Sequence, residues 1–534
     1  MFTAKLRNGA LALGAGGLVL AVGTSTFAKT VKTPPLVIGV EAAGPTFTAN
    51  FNPFASQRDG RLYIYEPMAL VNPYSGHVTP WLATSWHFQN ATELSVTVRS
   101  GVKWSDGTPF TARDVAFTFN MLKRFPALDG SDLWAVLSSV SAQGNTVVFH
   151  FKRPAVQTLI EILQVPVVPA HIWSKVKNPV TWPDAHPIGT GPYVLKRFTP
   201  YQYTLTKNPR YWQAKNVQVP ELVFPAGAAN QSAQLKLVGG QWQWATLFLP
   251  NVQSTWVKGN PYHKYWFPGG APVALILNQK KPPFNNVAFR QALAYAINRQ
   301  AIVNKAEFGY VPPASQTLLT LPAQKSWLNP KIANQGFLPY SPVKAKQILK
   351  SAGFHWNAHG VLLTPSGHPV SFTIQIPSGW TDWIQTSDMI SQNLKALGIS
   401  VTVQTPQYGA WAANQTNGSF TGVLGGAGGQ PDPYWSFYYL FHANTFGFKS
   451  SQATGLLANW NSTTSHAQQL KDAYQLEHLM IQQEPVIPLF YGANWAEYNT
   501  RYYVGWPSAK NPYATAAPYL QDVLMVVTHL RPRG

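Results

Sequence analysis

Catalysis and metal binding need particular side chains at particular spacings, and this chain offers few. Only 20 of its 534 residues are Asp or Glu, and none is Cys. A glycosidase needs two carboxylates facing each other across a cleft. The best placed, Asp106 and Asp114, both suit local backbone duties. Asp106 precedes Gly107 in a turn-forming pair, and Asp114 stands three residues after Thr111, the spacing of a capping box. No G-x-S-x-G elbow presents a serine nucleophile. His355 and His359 have the i, i+4 spacing of zinc ligands on a helix. The stretch between them follows the helix-ending Gly353 and runs to Gly360 and a strand, so it reads as a hairpin. Residues 422–429 (GVLGGAGG) lack the spacing and the lysine of a phosphate loop and read as a close-packed strand-to-turn segment. The expectation is a non-enzyme with no catalytic residue, no metal and no cofactor, weighed against a secreted hydrolase.

Composition narrows the partners. Hydrophobic residues make up 45% of the chain, enough to build packed cores, and 534 residues exceed what one core needs. The formal net charge is +20, which would suit an anionic partner. The basic residues are spread thinly, without a block or a basic helix face, so nucleic-acid binding is not expected. Sparse carboxylates also leave few groups whose protonation would unfold the protein, which suggests an acidic external habitat.

The elements that would position any site are legible from pattern. Lys5 and Arg7, the apolar residues 9–23 and the small residue Ala28 read as an export leader cleaved after residue 28. The apolar run is shorter than the ~20 residues of a spanning helix. Without Cys, a lipid anchor at the leader junction is excluded. Residues 36–40 form a strand, and Leu94, Val96 and Val98 alternate with polar residues as in a half-buried strand. Thr111 caps a helix over 115–122. Asn286 starts one over 287–303, and Ser341-Pro342 opens another that ends at Gly353. Ile390, Leu394 and Leu397 mark a helix closed by Gly398, followed by a strand with Ile399, Val401 and Val403 on one face. Repeated helix-then-strand order argues for α/β lobes.

Four segments in order resemble the extracytoplasmic solute-binding proteins of ABC importers, in the family that includes oligopeptide- and dipeptide-binding proteins. They are residues 80–86 (PWLATSW) with 98–115 (VRSGVKWSDGTPFTARDV); 189–193 (GTGPY) with 208–212 (NPRYW); 277–278 (LN), 282–284 (PPF) and 290–297 (RQALAYAI); and 345–349 (AKQIL) with 352–354 (AGF). Most of these residues read as scaffold. Gly189 and Gly191, for instance, let the backbone bend sharply before Tyr193. The resemblance implies a two-lobed, hinge-linked, periplasmic-binding-protein-like α/β fold of class II. Lobe I would span 29–270 plus 487–534, with an extra subdomain over about 76–178, and lobe II would span 271–486. Crossovers are placed at 272–277 and 485–490. It further implies capture of a peptide or peptide-like solute between the lobes and delivery to the transmembrane permease subunits. The receptor would be monomeric and peripheral to the membrane or cell wall.

The family pattern breaks where charge should grip a peptide. In peptide-binding members, an Asp three residues before the acidic residue of an Asp-Pro pair takes the ligand amine. Here the pair is Asp432-Pro433 and that position is Gly429. Dipeptide binders add an Arg after a second-lobe strand, but residues 376–380 read IPSGW. What remains near the implied cleft is Asn52 and Phe54 in the first lobe and Trp380, Tyr408, Trp411, Gly429, Asp432, Trp435 and Tyr491 toward the second. Flat aromatic faces suit apolar side chains or sugar rings, so an oligosaccharide or other uncharged solute stands beside peptide as the ligand class.

Overall fold

Alternating and continuous apolar runs build three principal sheets among the residues that the computed structural model describes: 33–40, 46–54, 59–227, 230–428, 432–441 and 446–534. The leader expected over 1–28, and Gly429, lie outside the described residues. The first sheet has seven strands, in the order His263–Tyr265, Glu497–Asn499, Trp244–Thr246, Leu36–Val40, Glu221–Pro225, Gln202–Lys207 and Tyr193–Thr199. Leu36–Val40 lies inside it and pairs in parallel on both sides.

A second, antiparallel sheet joins Ala83–Asn90, Glu93–Val98, Thr146–Phe151 and Leu137–Gln143. Leu94, Val96 and Val98 are buried, as their alternation predicts. Their core takes in Val115, Phe119 and Leu122 from the helix Ala112–Arg124. That helix starts at the expected box: the Thr111 N–H donates to Asp114 Oδ2 at 2.8 Å. Asp114 Oδ1 also accepts the Ala170 N–H at 3.1 Å, so this carboxylate is consumed by structure.

The third sheet has the order Ser400–Gln404, Ser371–Gln375, Gly422–Gly426, Gly269–Leu277 and Ile487–Ala493. The last two strands are antiparallel neighbours. Ile487–Ala493, expected to open the return to the first lobe, is therefore hydrogen-bonded into the second lobe's sheet. The ladder continues without a gap into the seven-stranded sheet. Asn494 N–H donates to Pro268 O at 2.9 Å, Trp266 N–H to Ala496 O at 3.0 Å, and Tyr265 then pairs with Glu497. Both passages between the lobes thus form one two-stranded ribbon, and the molecule has the two-lobed α/β architecture.

Local signals held at several places and failed at two. Ser341 accepts the Lys344 N–H at 3.2 Å and caps Pro342–Ser351, and Gly398 adopts φ +77 after the helix Thr381–Lys395. His355 lies on a two-residue strand paired with Leu362–Leu363, so the His355–His359 spacing belongs to a hairpin. The helix expected over 287–303 is two helices, Val287–Ala296 and Arg299–Lys305. Asn298 breaks it by accepting the Ala301 N–H at 3.0 Å as a new N-cap. Arg299 can then turn inward, donating to Ala294 O and Pro488 O at 2.7 Å each.

Gly189 and Gly191 are needed for a different reason from the one expected. Neither has a positive φ. Instead the segment presses on the backbone of Tyr63 and Ile64. A Cβ on Gly191 would lie 2.5 Å from Tyr63 O, and one on Gly189 would run into Ile64 O. The neighbouring carboxylate explains why this seam matters. Glu66 is fully buried and accepts from Trp81 Nε1–H at 2.6 Å and Trp212 Nε1–H at 3.2 Å. Two of the four family-like segments thus meet around one acidic side chain. Gly189→Ala is expected to destabilise the fold by about 3 kcal/mol, because backbone cannot yield as a side chain can. A chemical-denaturation curve that matches the wild type would refute this.

Burial pushes several carboxyls up: Glu66 and Asp522 to about 7, and Glu477 to about 8. A folded pKa above the unfolded value means that the folded state holds more protons. The stabilisation is complete below about pH 4, where unfolded carboxylates titrate, and is lost as pH rises through 7 to 8. Each group contributes a slope of about 1.4 kcal/mol per pH unit inside that window. The melting temperature should therefore be higher at pH 5 than at pH 8 by calorimetry, and a rise from pH 5 to pH 8 would contradict it.

Candidate functional site

Sheet direction decides which loops can face the other lobe. Ser371–Gln375, Ser400–Gln404 and Gly422–Gly426 run parallel, and Gly269–Leu277 runs against them. Gly426 pairs with Val273, at the end of the ribbon that leads to the first lobe. The carboxyl ends of the three parallel strands therefore point toward the first lobe, the edge where open α/β sheets bind ligands. Trp380, Tyr408 and Asp432 each follow one of these ends.

Two of those loops bring an aromatic group together. Trp380 precedes the helix Thr381–Lys395, and Tyr408 opens the helix Tyr408–Asn417. Ring centroids lie 5.9 Å apart for Trp380–Tyr408 and for Trp380–Trp411, and 5.5 Å apart for Tyr408–Trp411. Trp383 completes the group, 4.8 Å from Trp380 and 6.0 Å from Trp411. Sequence reasoning missed Trp383; its position one helical turn beyond Trp380 was the available signal. Tyr408 is 47% exposed and presents the open side, while Trp411 is buried. The Trp411 Nε1–H is covered and has no hydrogen-bond partner.

The third loop carries Asp432 and the helix Tyr434–Phe441 (YWSFYYLF). Asp432 Oδ1 accepts the Tyr434 N–H at 2.9 Å. Burial pushes its carboxyl up to about 7 against that hydrogen bond, and the charge of Glu161 in the first lobe adds to the rise. The lobes touch here. Trp435 Nε1–H donates to Gln157 O at 2.9 Å, and the Gln157 N–H donates to Asn461 Oδ1 at 3.0 Å. Gln157 and Asn461 carried no sequence signal, because nothing local marks a contact between segments three hundred residues apart.

Other expected residues do not join this group. Asn52 is fully buried and ties down its own loop, donating to Pro179 O at 2.8 Å and Trp182 O at 2.9 Å. Tyr491 is 1% exposed and donates from its hydroxyl to Leu319 O at 3.0 Å, which makes it core. Phe54 packs edge-on against Trp173 and lines a cleft of about 290 Å³ with Leu133, Glu161 and Val165. The second lobe's buried arginines, Arg290 and Arg299, are committed to backbone carbonyls.

Two lobes on a shared ribbon, with aromatic loops at the facing edge, define a solute-binding protein. The chain belongs to the bacterial extracellular solute-binding proteins, family 5, whose model for the middle region matches residues 77–448. It is a binding component of ABC transport and not an enzyme. A Brucella ovis protein, provisionally named an ABC transporter peptide-binding protein, is 27% identical over 448 residues, covering 80% of this chain and 81% of that protein. The nickel-binding periplasmic protein of Escherichia coli is 27% identical over 425 residues, covering 74% of this chain and 76% of that one. Among solved structures, a periplasmic oligopeptide-binding protein of Thermotoga maritima, bound to mannohexaose, superposes with a TM-score of 0.83 at 26% identity. That match covers 94% of this chain and 99% of the other. No helix among the described residues is long and apolar enough to cross a membrane.

The Gln157 contacts should hold the lobes together. Combining Trp435→Phe with Asn461→Ala removes both hydrogen bonds, each worth about 1 kcal/mol. The radius of gyration of the unliganded variant in small-angle scattering should exceed that of the wild type, and an unchanged value would rule out this latch.

Proposed function

We propose that the protein captures a peptide or peptide-like solute between its lobes, outside the cytoplasm, and presents it as a monomer to the transmembrane subunits of an ABC permease. The bend would lie where the ribbon leaves the sheets, around residues 266–269 and 493–496. The observation that carries the ligand reading is the group Trp380, Trp383, Tyr408 and Trp411 at the edge facing the first lobe. It offers apolar faces and one unsatisfied donor, at positions where the loop 376–380 has no Arg. A peptide would be gripped along its side chains and backbone, not by a carboxylate–Arg pair at its C-terminus. The same group supports a second reading, an oligosaccharide stacked on the rings, and the Thermotoga relative bound to mannohexaose favours it.

A thermal-shift series with oligopeptides and manno-oligosaccharides separates the two, because a ligand that binds only the folded state raises the melting temperature. Peptides should shift the melt, and Trp380→Ala should weaken the active ligand about 30-fold, the ~2 kcal/mol of an aromatic anchor. Saccharides shifting the melt without peptides would transfer the function to the second reading. A panel in which neither class shifts it would overturn both.

A further inference from the structure

Carboxylates are scarce in this chain, yet four gather where the first lobe meets the aromatic helix Tyr434–Phe441. Asp129, Asp132 and Glu161 come from the first lobe and Asp432 from the second. Asp129 and Asp132 repel each other, as do Asp432 and Glu161. Arg153 acts on Tyr434 and Tyr438 in the same region. Two of the carboxylates have local duties. Asp129 accepts the Trp134 N–H at 2.9 Å, and Asp432 accepts the Tyr434 N–H.

Glu161 is different. It is 8% exposed, and its Oε2 accepts the Ser131 hydroxyl at 2.9 Å. Its Oε1 is covered and has no hydrogen-bond partner. A buried carboxylate oxygen without a partner bears the full cost of its desolvation, so such groups ordinarily find one. Glu161 also lines the cleft of about 290 Å³, whose wall mixes Phe54, Leu133 and Val165 with Asp129, Gln164 and Gln521. A wall of apolar side chains beside two carboxylates, one of them with an unsatisfied oxygen, matches a cation carried on a short hydrocarbon stem. Trp435, which donates to Gln157 O one turn before Glu161, brings the second lobe against the same segment.

We propose that Glu161, together with Asp432 across the lobe boundary, forms a cation-recognition site that takes a primary ammonium group on an apolar stem. The inference rests on the receptor reading above and gives its ligand a charge. An ammonium between the two carboxylates touches both lobes and so favours their closure. It also relieves the repulsion that closure creates between two like charges.

Saturation-transfer NMR titrations of the purified protein with n-butylammonium chloride and with n-butanol test the site without the natural ligand. The ammonium should bind at least tenfold more tightly than the alcohol. Glu161→Gln, which keeps the volume and the Ser131 contact, should reduce ammonium affinity at least fivefold and leave butanol unchanged. Asp432→Asn, at the more exposed partner, should do the same and decides the matter if Glu161→Gln does not fold. Equal affinity of the two probes, or undiminished ammonium binding in a folded variant, would overturn the site. The receptor reading fails separately, if no peptide or saccharide moves the melt.

Discussion

The chain must pass between the lobes twice, and it does so with two strands that stay hydrogen-bonded to each other. Gly269–Leu277 and Ile487–Ala493 belong to one sheet, and their continuations at residues 263–265 and 497–499 belong to the other. A paired ribbon resists stretching and shear, because those motions break ladder bonds, but it can bend. Gly269, Gly270 and Gly492 sit in it, and a Cβ on Gly270 would lie 3.0 Å from Asn494 Nδ2. Because the ribbon fixes the end of the second sheet that faces the first lobe, it also fixes which loops can touch ligand. The loops carrying Trp380, Tyr408 and Asp432 lie at that end as a consequence of strand direction.

A second constraint is the shortage of acid groups. Three ion pairs occur among the described residues, and two of them involve His. Several carboxyls are instead buried among hydrogen-bond donors and pushed toward neutrality. Glu66 sits among Trp81, Trp212, Thr190 and Tyr211, and Asp522 receives the Thr515 N–H at 2.6 Å and the Thr515 hydroxyl. A neutral, hydrogen-bonded acid avoids the desolvation cost of a buried charge. Acidic media favour that protonation state.

Much of the fold was legible because it is written locally. Alternation marked the strand carrying Leu94, Val96 and Val98, and cap chemistry marked the helix starts at Thr111, Asn286 and Ser341. Failures occurred where a distant contact overrides the local pattern. The helix expected over 287–303 is interrupted at Asn298, whose N–H is taken by Asn393 Oδ1 at 2.9 Å, far along the chain. Gly189 is glycine because Ile64, far away in sequence, lies against it. The same division holds in the site. Trp380, Tyr408 and Trp411 were identifiable as aromatic residues near the implied cleft, but Tyr491 proved to be core and Glu161 carried no signal at all. Its significance depends on Ser131, on the helix at Tyr434 and on a cleft built from five separated segments.

Closure energetics tie these features together. The two hydrogen bonds at Gln157 already hold the lobes in contact, so a ligand need only add a modest differential affinity to populate the closed state. An opposing term comes from bringing Glu161 toward Asp432, two acids whose joint ionisation is disfavoured in an enclosed space. A latch opposed by a repulsion leaves the closed state to be favoured by whatever the ligand adds to both lobes. Under the proposed function, the aromatic group at Trp380 would supply area and orientation but little charge. Discrimination between solutes would then come from the polar elements around it, namely the Trp411 donor and the Glu161 acceptor, since an unsatisfied buried group rejects a ligand that cannot pair with it.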